Sequence, residues 1–478
     1  MHFNISKFIL CLWVGFAYAL SSRQEQADQN TAVEVITRDV AIIGGGSTGT
    51  FAAIKLRDEN RTVSIIEHKG RLGGQTETYT DPVTGTPIDY GVAFFHDLDI
   101  VHEYFNRFGV PLTYIPLSAS TGGTTEYFDF TTGVQTNYSR SDSAAALEAY
   151  AAQLAKYPYL EEGFDLPDDV SEDLLLPFGE FASKYGIGDI VFSIFQVEQG
   201  YGDFLQLPTI YAMKLYGLSL VQELQAGNGV LGTLRGNNSE IYGLAEAELG
   251  SDVHLHSTVL NASRNVSSPT GHSTEILIQT PTGQKLIQAK KLLITIPPTL
   301  ANLEPFDIDA NERALFSQFH YDYFWTGLLN QTGIPVNVSV SNVDPSRQFW
   351  LPAMPAVYAF SVTHVPGLID WKYSAPTNLS VDSVKRETIA ALDRIRDGGQ
   401  LNFTTSPDVE PSFVAFADHS PYAMRVDPEA IKTGFYQMLY DLQGYNNVFW
   451  TGAAWHTHDS GLLWRFTDKI VNQLLETL

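Results

Sequence analysis

Cysteine is nearly absent from this chain. The single one, Cys11, lies in an apolar stretch at the N-terminus. The rest can form no disulfide, no zinc–thiolate site and no thiol nucleophile, so stability rests on a packed core. Positive charge is scarce too: 29 Lys and Arg stand against 54 Asp and Glu, a formal net charge of −25. Nucleic acid and anionic membranes both demand a basic face, so neither is an expected partner. The acidity reads as a solubility feature. Beyond the N-terminal stretch no apolar run is long enough to span a bilayer, so no stable membrane anchor is expected. Ser-His-Asp arrangements, metal-ligand spacings and a phosphate-binding P-loop are also missing from the sequence.

What remains is the composition of a globular protein: 478 residues, 44% hydrophobic and 12% aromatic. That length predicts more than one domain, and that composition allows an apolar, aromatic-rich pocket. The opening "MHFNISKFILCLWVGFAYALSS" has the pattern of a secretory signal. Lys7 gives the basic end, Phe8 to Phe16 the apolar run, and Ala17 to Ala19 a small-x-small cleavage site. A cleaved signal peptide over residues 1–19 and a flexible arm over 20–37 are therefore expected, and with them secretion. N-x-[ST] sequons at Asn137, Asn237, Asn261, Asn265, Asn330, Asn337, Asn378 and Asn402 support that route as glycosylation positions. Asn60 begins another, but it sits close to a predicted strand.

The densest signal is "DVAIIGGGSTGTFAAIKL", Asp39 to Leu56. An apolar strand meets a glycine cluster, and a helix-period pattern follows. "TVSIIE" then gives a second strand ending at Glu67. Gly44 permits the tight turn, Gly46 lets backbone approach a pyrophosphate, and Gly49 lets the helix pack close to the sheet. Ser47 opens a helix whose N-terminus favours phosphate, and Glu67 is placed for a ribose hydroxyl. This predicts a Rossmann-type dinucleotide site. Just beyond, "EHKGRLGGQTETY" offers Arg71 to pair with phosphate, and Gly73 and Gly74 to let the chain run against a cofactor.

Further along, a helix is predicted over Ser143 to Tyr157 and another from Ser171, interrupted at Pro177. Strands crowd the region after Asp252, with a hairpin turn at "TPTGQK". The aromatic run His320 to Trp325 reads as a pocket-lining strand. The tail gives a strand, a glycine loop and a closing helix. The expected fold class is α/β, a Rossmann-like domain interleaved with an α+β substrate domain. The first is assigned residues 38–110, 231–300 and 411–478, the second 111–230 and 301–410.

"RLGGQTET" resembles the second signature of the flavin-containing amine oxidase superfamily, with Gln75 where that family has Arg or His. "PIDYGVAFFHD" is similar to the family's next element and implies that Gly91, Val92 and Ala93 lie near the isoalloxazine. "STVLNASRN" implies an adenine contact through the backbone of Val259. The tail "GAAWHTHDSGLLW", Gly452 to Trp464, matches at Gly452, Thr457, His458, Ser460 and Gly461. Gly452, Ala453 and Gly461 are thereby assigned to the cofactor, and the Leu462 and Leu463 amides are implied to face the flavin pyrimidine carbonyl. Taken together, the motifs resemble most a fungal branch, the β-cyclopiazonate dehydrogenase-like FAD-dependent oxidoreductases. Bacterial polyenoic fatty acid isomerase looks like a more distant relative.

The resemblance implies an amine oxidase or glutathione reductase-like FAD fold, with FAD as cofactor. Ala454 and Leu462 replace a family Glu and a cage Tyr, so an amine held between two tyrosines is not implied. A thioether to the flavin is excluded by the lack of cysteine. Noncovalent FAD is expected, with a histidyl link through His68, His96 or His456 left open. Candidate catalytic residues are His456, His96 and Lys372, the last as a lysine near flavin N5. His458 is read as a hydrogen-bonded loop histidine. The expected activity is hydride removal from a hydrophobic small molecule, such as a secondary metabolite, onto flavin N5, with O2 as acceptor. A redox-neutral isomerase of polyunsaturated fatty acids and a non-enzymatic glycoprotein are the competing readings.

Overall fold

The computed structural model describes residues 33–117, 123–141, 143–264, 266–269, 271–406 and 408–478. The expected signal peptide, most of the expected arm and the sequon residue Asn265 lie outside these residues.

Seven strands form one sheet. Across it run Thr258–Arg264, Thr274–Thr280, Gly283–Ile294, Glu34–Ile43, Val63–Ile66 and Val253–His254, and Val448–Trp450 joins beside the end of Gly283–Ile294. Glu34–Ile43 is parallel to both of its neighbours, as a strand–helix–strand crossover requires. From Val40 to Ile43 it is flanked on both sides and fully buried, which is why "VAII" is continuously apolar. Its first half pairs on one side only. Residues Glu34 to Thr37 bond to Lys285 to Gln288, so the end of the expected arm is strand, with Ile36 packed onto the core.

Helix Ser47–Asp58 returns over this sheet, burying Phe51, Ala52, Ala53, Ile54 and Leu56. Its approach depends on Gly49, where a Cβ would lie 2.0 Å from the Gly44 carbonyl oxygen. Backbone cannot yield that far cheaply. Gly49→Ala is expected to cost about 3 kcal/mol in urea unfolding, the upper end for overpacking. A loss below about 0.5 kcal/mol, the surface-substitution range, would mean that the turn is looser than this contact indicates.

A second sheet has eight strands, ordered Ser412–Asp418, His320–Asn330, Ile369–Ala375, Ala356–Val362, Val338–Asn342, Thr124–Asp129 and Val134–Gln135, with Tyr422–Arg425 beside His320–Asn330. One face packs on helix Val381–Asp397 through Phe128, Val340, Phe360 and Trp371. The alternate residues Tyr127, Ser339, Ser341, Ser361 and Lys372 turn to the other face, which borders a cavity. Residues 412–425 therefore belong to this second sheet, although 411–478 reads as one segment with the nucleotide fold. Val230–Thr233 likewise pairs with Leu112–Ile115 across the expected boundary at 230/231. Strand partners override sequence position in both cases.

The predicted helices form. Ala144–Leu154 is capped by Ser143, whose side chain accepts from the Ala146 amide. The segment after Ser171 divides at Pro177 into Glu172–Leu175 and Phe178–Tyr185, and left-handed Gly186 stops the second. Among the described residues no helix is long and apolar enough to cross a membrane.

Candidate functional site

Two cavities adjoin one another. The smaller, about 500 Å³, follows the glycine loop. The larger, about 810 Å³, lies between the second sheet and a layer of helices. They share four residues: Gln75, Val92, His419 and His458.

The smaller cavity has one end at Glu67 and Val259 and another at Gly452, Ala453, Ser460 and Leu463, with Gly44, Gly46 and Ser47 also on its wall. The glycines divide by role. Cβ atoms at Gly44, Gly45 and Gly49 would collide with Thr295, Leu72 and Gly44 respectively, whereas one at Gly46 would meet nothing closer than 3.7 Å. Gly46 thus keeps open space where a ligand's pyrophosphate would approach. The "RLGG" segment lies directly on this loop: the Gly73 amide donates to the Gly45 carbonyl at 2.8 Å, and Gly74 packs against Gly46.

Two helix N-termini converge here. Ser47 Oγ lies 3.0 Å from Ser460 Oγ, at the starts of Ser47–Asp58 and Ser460–Leu475. Tyr242 and the Trp464 indole also donate to Ser47 Oγ, at 2.9 Å each. Ser47 is therefore a junction between helices as well as a wall residue. The aligned amides and dipoles make this end a natural seat for anionic groups.

Glu67 is 3% exposed and accepts the Gly45 amide at 2.6 Å and the Lys69 amide at 2.7 Å. Burial raises its pKa, but hydrogen bonds from His68 and from the Lys69 and Gly45 amides outweigh this and hold it below the usual range. It stays an ionised acceptor at the cavity wall, as recognition of a sugar hydroxyl requires.

Arg71 departs from expectation. Its guanidinium is bound to Glu77 at 2.5 Å and to the Leu72 carbonyl at 2.9 Å, and it does not border the smaller cavity. Lys69, two residues earlier, borders it instead. The closing helix also differs. Asp459 caps it, taking the Leu462 amide at 2.7 Å, while the Leu463 amide bonds the Asp459 carbonyl at 3.0 Å. Both amides expected to face the flavin are thus engaged within the cap, and the Ser460 and Gly461 amides are those outside the helical ladder. Gly461 packs against Val101, where a Cβ would lie 2.7 Å from Cγ2. Of Gly461, Leu462 and Leu463, Leu463 alone borders the smaller cavity.

Gly91, Val92 and Ala93 border the larger cavity, with Val92 common to both. Lys372 also borders the larger cavity and not the smaller, and it is paired with Asp370 at 2.5 Å. Phe324 is the residue of the His320–Trp325 run that reaches this wall, while Trp325 is core.

The histidines separate sharply. His456 borders neither cavity: its Nε2 donates to the Glu161 carbonyl at 3.0 Å, and its ring packs on Phe466. His96 is fully buried behind the larger cavity, with Nδ1 3.2 Å from Ser219 Oγ and Nε2 4.0 Å from Asp459. Neither is placed for direct chemistry. His458 borders both cavities, stacked on Tyr422 at 3.8 Å and accepting the Ala423 amide through Nε2 at 3.1 Å. His419 escapes sequence reasoning altogether. It follows a strand in a loop with no motif, is 5% exposed, and carries an Nε2 with no hydrogen-bond partner among the described residues.

Burial drives both wall histidines down to about 3, helped at His419 by nearby Lys69, His458 and Lys372. They are neutral at physiological pH and cannot serve as cationic acids. A histidine depressed in the folded state takes up its proton more readily when unfolded. Its stabilising effect is thus present above the unfolded value near 6.5 and is lost as pH falls toward the folded value. His458→Gln is expected to flatten the pH dependence of unfolding free energy by about 1.4 kcal/mol per pH unit between roughly pH 6 and pH 4. Parallel curves for variant and wild type would show that His458 titrates alike in the folded and unfolded states.

Comparison with known proteins gives one consistent result. The family model for flavin-containing amine oxidoreductases matches residues 48–322. "FAD-dependent oxidoreductase oblC" of Cochliobolus heterostrophus is 36% identical over 459 residues, covering 93% of this chain and 92% of that protein. "Beta-cyclopiazonate dehydrogenase" of Aspergillus oryzae is 34% identical over 448 residues, covering 93% and 94%. Among solved structures, a CLA-producing fatty acid isomerase from P. acnes superposes with TM-score 0.68 at 19% identity, over 91% of this chain and 98% of that one. Putrescine oxidase bound to putrescine superposes with TM-score 0.59 at 15% identity, over 92% and 100%. These two likenesses bear on the fold alone.

Proposed function

Because the chain belongs to the flavin-containing amine oxidoreductase family and is an FAD-dependent oxidoreductase, we propose that it oxidises a largely apolar small molecule held in the larger cavity. The observation that carries this reading is the shared wall. A cofactor cavity and a separate, larger cavity meet at Gln75, Val92, His419 and His458. FAD, when bound, would supply the two-electron redox chemistry. The chain's own residues bind and orient. The helix N-termini at Ser47 and Ser460 offset phosphate charge, Glu67 accepts from a ribose hydroxyl, and Phe94, Phe192 and Leu224 exclude water around the substrate.

Dioxygen is the proposed acceptor, because an exported protein has no ready supply of oxidised nicotinamide to take the electrons. The balance is then substrate plus O2 giving desaturated product plus hydrogen peroxide. A screen of fungal metabolites for peroxide release by the yellow, FAD-loaded protein tests this. Peroxide formed in proportion to product supports it. An isomeric product formed without peroxide would replace it with the redox-neutral reading, and protein that takes up no FAD would remove both.

Secretion is part of the same proposal, resting on the pattern of Met1 to Ala19. Asn137, Asn261, Asn337, Asn378 and Asn402 are exposed, whereas Asn237 and Asn330 are half-buried, and Asn237 Oδ1 is enclosed. Protein from a eukaryotic secretory host is expected to lose mass on glycosidase treatment, with glycans at the exposed set. Unmodified protein in the medium would contradict the sequon assignments.

A further inference from the structure

The larger cavity has two walls. On the helical side Leu147, Ile190, Phe192 and Leu224 form an apolar stretch beside Ser193 and Gln196. On the sheet side, period-2 alternation brings Ser339, Ser341 and Ser361 to the surface, ending at the ion pair Asp370–Lys372. A plain hydrocarbon laid here would strip water from hydroxyls and charges and return nothing.

Two polar atoms on this cavity are unmet. Asp370 gives Oδ2 to Lys372, but its Oδ1 is enclosed with no hydrogen-bond partner among the described residues. At the end shared with the cofactor cavity, the buried His419 keeps Nε2 equally unpartnered. Buried polar atoms are ordinarily paired, so these two side chains bring unfilled hydrogen-bonding capacity to the cavity wall. A carboxylate oxygen accepts only, so the completing group must be a donor.

We propose that the sheet side of this cavity is a subsite for the oxygenated edge of the substrate. The substrate class is a hydroxyl- and carbonyl-bearing molecule with an apolar face, which lies on Leu147, Ile190, Phe192 and Leu224. A hydroxyl donates to the Asp370 carboxylate, a neighbouring carbonyl accepts from Lys372, and the serines bond the remaining oxygens. Lys372 is thereby a substrate-recognition residue and not a partner of flavin N5. The inference rests on the oxidoreductase reading above and specifies what that site accepts.

The probes are hydroxyacetonaphthone and unsubstituted acetonaphthone, titrated calorimetrically into FAD-loaded protein, with FAD content read separately from the visible flavin band. Wild type is expected to bind the hydroxylated ketone about ten-fold more tightly, the size of one charge-assisted hydrogen bond. Asp370→Leu/Lys372→Met removes both charges together, which leaves no unpaired ion behind. It is expected to hold FAD and bind the two ketones alike. Asp370→Asn, isosteric and safer for folding, is expected to reduce the preference to about three-fold, because a neutral acceptor is roughly half as strong. Equal binding by wild type, or an unchanged preference in either yellow variant, overturns the subsite alone. Protein that binds no FAD overturns the reading beneath it.

Discussion

A Gly46→Leu protein is expected to fold and to purify colourless. Nothing in the chain stands within 3.7 Å of the position a Cβ would take there, so folding tolerates the change. The residue nonetheless borders the smaller cavity beside Ser47. Isobutyl there fills the space through which helix amides and Gly46 backbone approach the pyrophosphate. Losing two or three charge-assisted hydrogen bonds of roughly 1.5–3 kcal/mol each lowers FAD affinity by about a thousand-fold or more. The check is FAD per folded chain, with circular dichroism to show that the fold survives. Gly49→Ala makes the contrast: there the collision is with backbone, and stability fails before binding does. A fully loaded, yellow Gly46→Leu protein would place the pyrophosphate elsewhere.

Ala359→Trp is expected to do the opposite, keeping FAD and abolishing turnover. Ala359 lies on strand Ala356–Val362, pairs with Ser341, and turns into the larger cavity. It takes no part in the smaller one. An indole at that point occupies substrate volume while the cofactor wall stays intact. FAD content should match wild type, and peroxide production should fall by at least about a hundred-fold, the cost of one clash that the rigid sheet cannot relieve. Unchanged turnover would mean that substrate reaches the flavin by another route.

Local pattern and remote pairing account for what could and could not be foreseen. Strand, glycine loop, helix and Glu67 were legible from Asp39 to Glu67 because each depends on neighbours a few residues away. Arg71 was misread because side-chain direction in a glycine hairpin depends on which carboxylate captures it, here Glu77. His456 and His458 are two residues apart, yet one serves the core and the other a wall, a choice made by a single turn of backbone. The larger cavity was the least legible. "SVS" and "IDWKYS" show their alternation plainly, but nothing local says that residues 124–129, 338–342, 356–362 and 369–375 lie side by side. For the same reason residues 411–478 read as one nucleotide-domain segment, although Ser412–Asp418 and Tyr422–Arg425 pair in the second sheet.

The most direct measurement is anaerobic. Once the peroxide screen has identified a substrate, FAD-loaded protein is mixed with it in a stopped-flow cell without oxygen, and the visible flavin band is followed. Bleaching at least as fast as steady-state turnover, with full recovery on admitting oxygen and one peroxide released per flavin, is the predicted result. A flavin band that stays unchanged while substrate is converted would contradict the assignment of the flavin as the hydride acceptor.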